Sequence, residues 1–97
     1  MAQFEICRLS GGQLVVDLQT DLIGLEATRI VAPLREAGLY AEFPGLTPEI
    51  QHDGRKWVLR LQEMAAVPAA EIAARVGSAS GHRDANKRGI DILIDGF

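Results

Sequence analysis

The dipeptide Asp53-Gly54, set between "EIQH" and "RKWVLRLQ", restricts the fold more than any other feature of the chain. Two strand-like runs joined by two residues call for a tight hairpin. A type I′ turn needs positive φ at both central positions, and Asp-Gly is among the pairs that tolerate it. Trp57, Leu59 and Leu61 then share one face of the second strand. The start of the chain repeats the pattern. "QFEICRL" alternates, with Phe4, Ile6 and Arg8 on one side and Glu5 on the other; "SGG" turns the chain, and "QLVVDLQ" returns as the second strand of an antiparallel hairpin.

After a polar break at "TDLIGLEA", the β-branched run "TRIVAPL" predicts a third strand, ending or lying at an edge at Pro33, which has no N–H to donate. The segment "REAGLYAEFPGLTP" is rich in turn residues and reads as a connection anchored by Tyr40 and Phe43. "EMAAVPAAEIAARVG" is open to two readings. Pro68 and Gly77 bracket a short Ala-rich helix, and a strand from Met64 to Ile72 competes with it. From Ser80 to Asp95 the period is helical: Ile90, Leu93, Ile94 and Phe97 stand at i, i+3, i+4 and i+7, with Ser80 as a candidate N-cap. Short strands followed by one terminal helix predict a single domain over residues 1–97, a small, mostly β barrel or sheet capped by a helix.

A chain of 97 residues, 47% of them apolar, buries a smaller share of its surface than a larger protein does, so a homodimer is expected to add buried area. The net charge of -3 and pI near 5.3 argue against nucleic-acid binding through the overall field and suit a basic partner better. Cys7 is the one cysteine. That leaves no intrachain disulfide and no Cys-based metal site, fits a reducing cytoplasm, and makes Cys7 a small core group. No window approaches the roughly 18 apolar residues of a membrane span, and Glu5 falls where a signal peptide would be apolar. A soluble, unexported protein away from the membrane is expected.

Catalytic constellations are sparse. Asp17, Asp21 and Glu26 are candidate carboxylates for a metal or for acid/base work, but their strand and turn context favours structural roles. His52 beside the hairpin turn and His82 at a helix start have no third ligand at a metal spacing, and both are expected to be solvated. Ser10, Ser78 and Ser80 lie in turns or caps without triad partners, and Gly11-Gly12 lacks the rest of a phosphate loop, so no metal and no cofactor is implied. "GHRDANKRG" is basic enough to suggest a nucleic-acid patch; in an acidic chain it reads better as a solvated helix face. The other end of this helix is more informative. Asp91 and Asp95 form a like-charged i,i+4 pair where the helix dipole already disfavours anions by about 0.3–1 kcal/mol each. They mark either a site for a cationic partner, arginine above all, or a helix end kept polar for solubility.

The stretch "VVDLQTDLIGLEATRIVAPL", with "LTP", Trp57, "MAAVP" and a terminal helix closing on a glycine and one apolar residue, resembles the CcdB toxins of bacterial toxin–antitoxin modules. The resemblance runs nearly end to end, without gaps from Leu46 onward, and with variable loops near Gly11 and between Arg35 and Gly45. It implies an SH3-like antiparallel β barrel or sheet of the CcdB, MazF and Kid type, with a C-terminal α-helix, assembled as a homodimer, and favours a strand through Val67 and Pro68. It also implies a protein inhibitor rather than an enzyme: a toxin that binds the DNA gyrase A subunit and traps gyrase with cleaved DNA. A CcdA-like antitoxin would wrap the toxin with a flexible C-terminal segment, and the two together would repress their own operon, so operator DNA is met only through that complex. By position, gyrase contact falls on Leu22, Ile23, Asp91, Ile94, Asp95, Gly96 and Phe97. Two positions depart from the family pattern: Asp95 stands where a tryptophan precedes the glycine, and Asp91 replaces a neutral amide. A carboxylate at Asp95 would accept a bidentate hydrogen bond from the arginine on which the tryptophan stacks, and Phe97 offers a cation–π face. The alternatives are an RNA-cleaving toxin of the MazF or Kid type, for which Arg29 and Arg55 form no evident cluster with an acid or base, and a non-poisoning co-repressor.

Overall fold

The computed structural model describes residues 3–19, 27–38 and 47–95. In chain order these form β1 (Glu5–Leu9), β2 (Leu14–Asp17), β3 (Thr28–Glu36), β4 (Glu49–His52), β5 (Arg55–Leu59), β6 (Ala65–Pro68), β7 (Ile72–Ser78) and the helix α1 (Arg83–Asp95). All pairings among them are antiparallel. The sheet order is β4-β5-β3-β2-β1-β7, with β6 lying beside the first half of β3. This is the mostly β, SH3-like arrangement with a C-terminal helix that the sequence suggested.

Both predicted hairpins form where the turn chemistry puts them. Asp53 and Gly54 adopt φ of 54° and 75°, the two positive values a type I′ turn requires, and His52 pairs with Arg55 across it. Between β1 and β2, Gly12 adopts φ 93° while its N–H donates to the Leu9 carbonyl at 2.9 Å. Pro33 does not end its strand: β3 continues to Glu36. The Pro33 carbonyl accepts from the Arg60 N–H at 3.0 Å, and a strand residue's N and O point to the same side. The missing donor therefore faces the place where β3 exchanges β6 for β5 as its neighbour, and no β2 hydrogen bond is lost.

Strand alternation fills two cores. Ile6, Val16, Ala32 and Leu34 point to one face and join Phe4, Ile50, Leu59 and Leu61 in the main core. Their sequence neighbours Cys7, Val15 and Val31 point to the other face and pack with Leu9, Val67 and Ile72 in a smaller one. Continuous apolar runs such as "LVV" are the signature of strands covered on both faces. Arg8 keeps the parity of Ile6 but is exposed.

The Ala-rich helix over "VPAAEIAA" does not form. Ala65–Pro68 pairs with Thr28–Val31 as β6, a single 3-10 turn spans Ala69–Glu71, and Ile72–Ser78 pairs with β1 as β7. Pro68 is tolerated because β6 is an edge strand, and the ladder continues through the Ala69 N–H, which donates to the Ala27 carbonyl at 2.8 Å. Alanine's helix preference, a few tenths of a kcal/mol over its neighbours, loses to strand pairing on both sides.

Ser80 is not the cap of α1. A 3-10 turn at Ser80–His82 precedes the helix, and it is Ser78 whose hydroxyl accepts the Ser80 N–H at 3.1 Å. The helix seats on the 3-10 turn Leu61–Glu63 through its buried residues Asn86 and Gly89, with Ile90 half-buried against the main core. Asn86 donates through Nδ2 to the Ala79 carbonyl at 3.3 Å. Leu61, fully buried and contributing ~1.5–3 kcal/mol, anchors that turn in the main core.

Candidate functional site

The predicted apolar stripe of α1 is only partly a core stripe. Ile90 packs inward, Leu93 is 38% exposed and Ile94 is 70% exposed. The physical reason is where the helix rests: a polar residue and a glycine, Asn86 and Gly89, form the seat, and the last turn runs on beyond it. Asp91 and Asp95 are also exposed, and with Ile94 they occupy i, i+3 and i+4, one helical face. Among the described residues neither aspartate has an ion pair, although Lys87 and Arg88 lie one turn earlier, and the last turn holds no basic residue. The helix end thus offers an isoleucine framed by two carboxylates that the helix dipole leaves uncompensated. An isoleucine between two carboxylates is complementary to a group that is apolar and cationic together. Leu22, Ile23, Gly96 and Phe97, expected to belong to the same surface, lie outside the described residues, as do Asp21 and Glu26.

Asp17, the remaining candidate carboxylate, is structural. It is fully buried with Arg29, whose Nε donates to its Oδ2 at 3.0 Å and whose Nη2 donates to its Oδ1 at 3.3 Å. Arg29 Nη2 also donates to the Gln19 carbonyl at 2.9 Å, and the Gln19 N–H donates back to Asp17 Oδ1 at 3.1 Å. Arg75 reaches the same group from β7, 3.7 Å from Asp17 Oδ2 and 2.8 Å from Glu5 Oε2. Burial raises the Cys7 thiol above its ordinary value, with the Arg75 charge opposing. Arg75 Nη1 donates to the Cys7 sulfur at 3.2 Å. No cluster of Arg29 with an acid was evident in the sequence, and the structure supplies a structural partner, Asp17. That partner lies 12 residues away in the chain, on the adjoining strand.

A third feature was missed altogether. A cleft of about 870 Å³ opens at one end of the curled sheet and is lined by Arg8 of β1, Arg35 of β3, Arg55 of β5, His52 and Trp57. Arg55 is paired with Glu36 at 2.9 Å, a partner that the sequence did not make evident. His52 is half-buried rather than simply solvated: its ring stands so close to Gly77 that a Cβ there would meet it at 3.1 Å. Trp57 Nε1 donates to the His52 carbonyl at 3.1 Å, which holds the indole in place. These residues are scattered from position 8 to position 57, and no local spacing signals their meeting.

Two solved structures share the architecture. An Mtb toxin superposes with a TM-score of 0.78 at 11% identity, covering 92% of this chain and 99% of that one. The Mycobacterium tuberculosis toxin MazF-mt6 superposes with a TM-score of 0.77 at 13% identity, covering 96% of each chain. At such identities the likeness is one of fold. The profile of the CcdB protein family, by contrast, matches residues 3–96, which takes in both hairpins, the buried ion pair and the helix end. The chain belongs to the CcdB family.

Proposed function

We propose that this protein is the toxin of a toxin–antitoxin pair, acting as a homodimer that binds the DNA gyrase A subunit and holds gyrase on cleaved DNA. It does so as an inhibitor without catalysis of its own. A CcdA-like antitoxin neutralises it and joins it in repressing their operon. Membership of the CcdB family supports this reading, and the observation that carries it is the helix end, where Ile94 is 70% exposed beside Asp91 and Asp95, which have no ion pair among the described residues. Leu22, Ile23, Gly96 and Phe97 complete the proposed contact. Asp95 accepts a forked hydrogen bond from a gyrase arginine, the role a stacked tryptophan would otherwise fill.

The test is gyrase-mediated DNA cleavage with the purified protein. Accumulation of cleaved DNA is expected, and Asp95→Arg should abolish gyrase A binding while leaving a folded dimer. Binding retained by Asp95→Arg would remove Asp95 from the site. RNA cleavage without gyrase would replace this reading with that of an RNA-cleaving toxin, and neither activity would leave a co-repressor.

A further inference from the structure

We infer that the mouth of the half-barrel binds a short single-stranded nucleic acid, placing a base against Trp57 and phosphates against Arg8, Arg35 and Arg55. The cleft's 870 Å³ falls within the ~300–1,000 Å³ of ligand sites, which favour barrel mouths. Its floor is apolar, made by Leu14, Leu34 and Trp57 at the margin of the main core. Its rim concentrates guanidinium groups in a chain whose net charge is -3. Arg8 is exposed and has no ion pair among the described residues. Glu36, one of the two carboxylate residues on the rim, is already engaged by Arg55, which leaves Asp53 at the turn as the other.

Trp57 is half-buried and held by its bond to the His52 carbonyl, so its ring is fixed before any ligand arrives. A held aromatic ring in one cleft with three arginines suits stacking of a base beside a phosphate backbone, which tolerates many sequences. An extended acidic peptide fits less well. Such a peptide gains its affinity by pairing with an open strand edge, whereas the floor strands β2, β3 and β5 already have neighbours on both sides. The cleft shares no residue with the helix end, so this inference stands or falls separately from gyrase binding.

Trp57 is the single tryptophan, so its fluorescence reports the cleft directly. The whole protein is titrated with single-stranded RNA or DNA of about eight nucleotides, a length matched to small single-strand sites. Saturable quenching is expected. With two or three phosphates neutralised at a log–log slope of about -0.7 each, binding should weaken about 7- to 20-fold between about 50 and 200 mM salt. Arg8→Glu should weaken binding at least about tenfold with the melting temperature and gyrase A binding unchanged. Trp57→Phe, followed by anisotropy of a labelled strand, should weaken it about three- to tenfold. A preference for RNA over DNA would assign a contact to the 2′-hydroxyl, and equal binding would assign recognition to base and phosphate alone; both support the cleft. Absence of quenching, quenching unaltered by Arg8→Glu, or equal binding of a polyglutamate peptide of matched charge would overturn it.

Discussion

The Asp17–Arg29 pair and the last turn of α1 invert the usual placement of polarity. A carboxylate and a guanidinium are sealed inside at 0% exposure, while an isoleucine stands 70% exposed on a helix of the same small domain. The buried pair is satisfied from several directions, through the forked contact, the Gln19 backbone and Arg75. That satisfaction is what makes it tolerable, since desolvation costs several kcal/mol per ion unless geometry and further hydrogen bonds offset it. The helix end has the opposite character. Burying Ile94 would stabilise the fold by up to ~1.5–3 kcal/mol, and the structure leaves that stabilisation unused. The buried charges link β2, β3 and β7 through their contacts, whereas the isoleucine on the last turn of α1 is left uncovered in this chain.

The largest expected effect comes from breaking the inside half of this comparison. Arg29→Ala strands Asp17 and should destabilise the domain by about 3–5 kcal/mol, a large part of what a domain of this size possesses. Urea denaturation would measure it, and the double variant Asp17→Leu/Arg29→Met should recover most of the loss. If the double variant is no better than the single, the pair does more than satisfy itself.

An exposed ion pair supplies the contrast. Glu36→Gln removes the partner of Arg55 at a site where the two side chains are 45% and 67% exposed. It should cost less than about 1 kcal/mol and shrink further in high salt. A loss comparable to that of Arg29→Ala would show that burial is not what separates the two pairs.

The outside half is tested by Ile94→Ala. Stability should change by no more than about 0.5 kcal/mol, as for surface positions generally. Gyrase A binding, measured by titration calorimetry, should fall about tenfold or more. A variant that instead loses stability without losing binding would make Ile94 a structural residue.

The parts of the fold legible in the sequence were those governed by neighbours in the chain. Asp53-Gly54 and Gly12 turn the strands because positive φ is a local demand, and the terminal helix shows in its own period. The Ala-rich segment was undecidable on those terms. Its outcome depended on β1 and β3, strands distant in sequence that offered it pairing. Asp17 and Arg29 were visible as a carboxylate and a cation without any sign that they meet in the interior. At the candidate site, the odd placement of Asp91 and Asp95 against the helix dipole was readable; the exposure of Ile94 was implied by the resemblance and not by the helical period. An i, i+3, i+4 stripe looks the same whether it packs against a core or overhangs one.

The sequence by itself determined the turns, the strand-forming runs, the terminal helix, and the resemblance that the family match upheld. Tertiary structure alone decided which strands Ala65–Ser78 would join, that Arg29 would be spent inside against Asp17, and that Arg8, Arg35 and Arg55 would line one cleft with Trp57. The physical reason is the same in each case. Turn and helix preferences are settled within a few residues, whereas pairing, burial and clustering depend on which distant segments the curled sheet brings together.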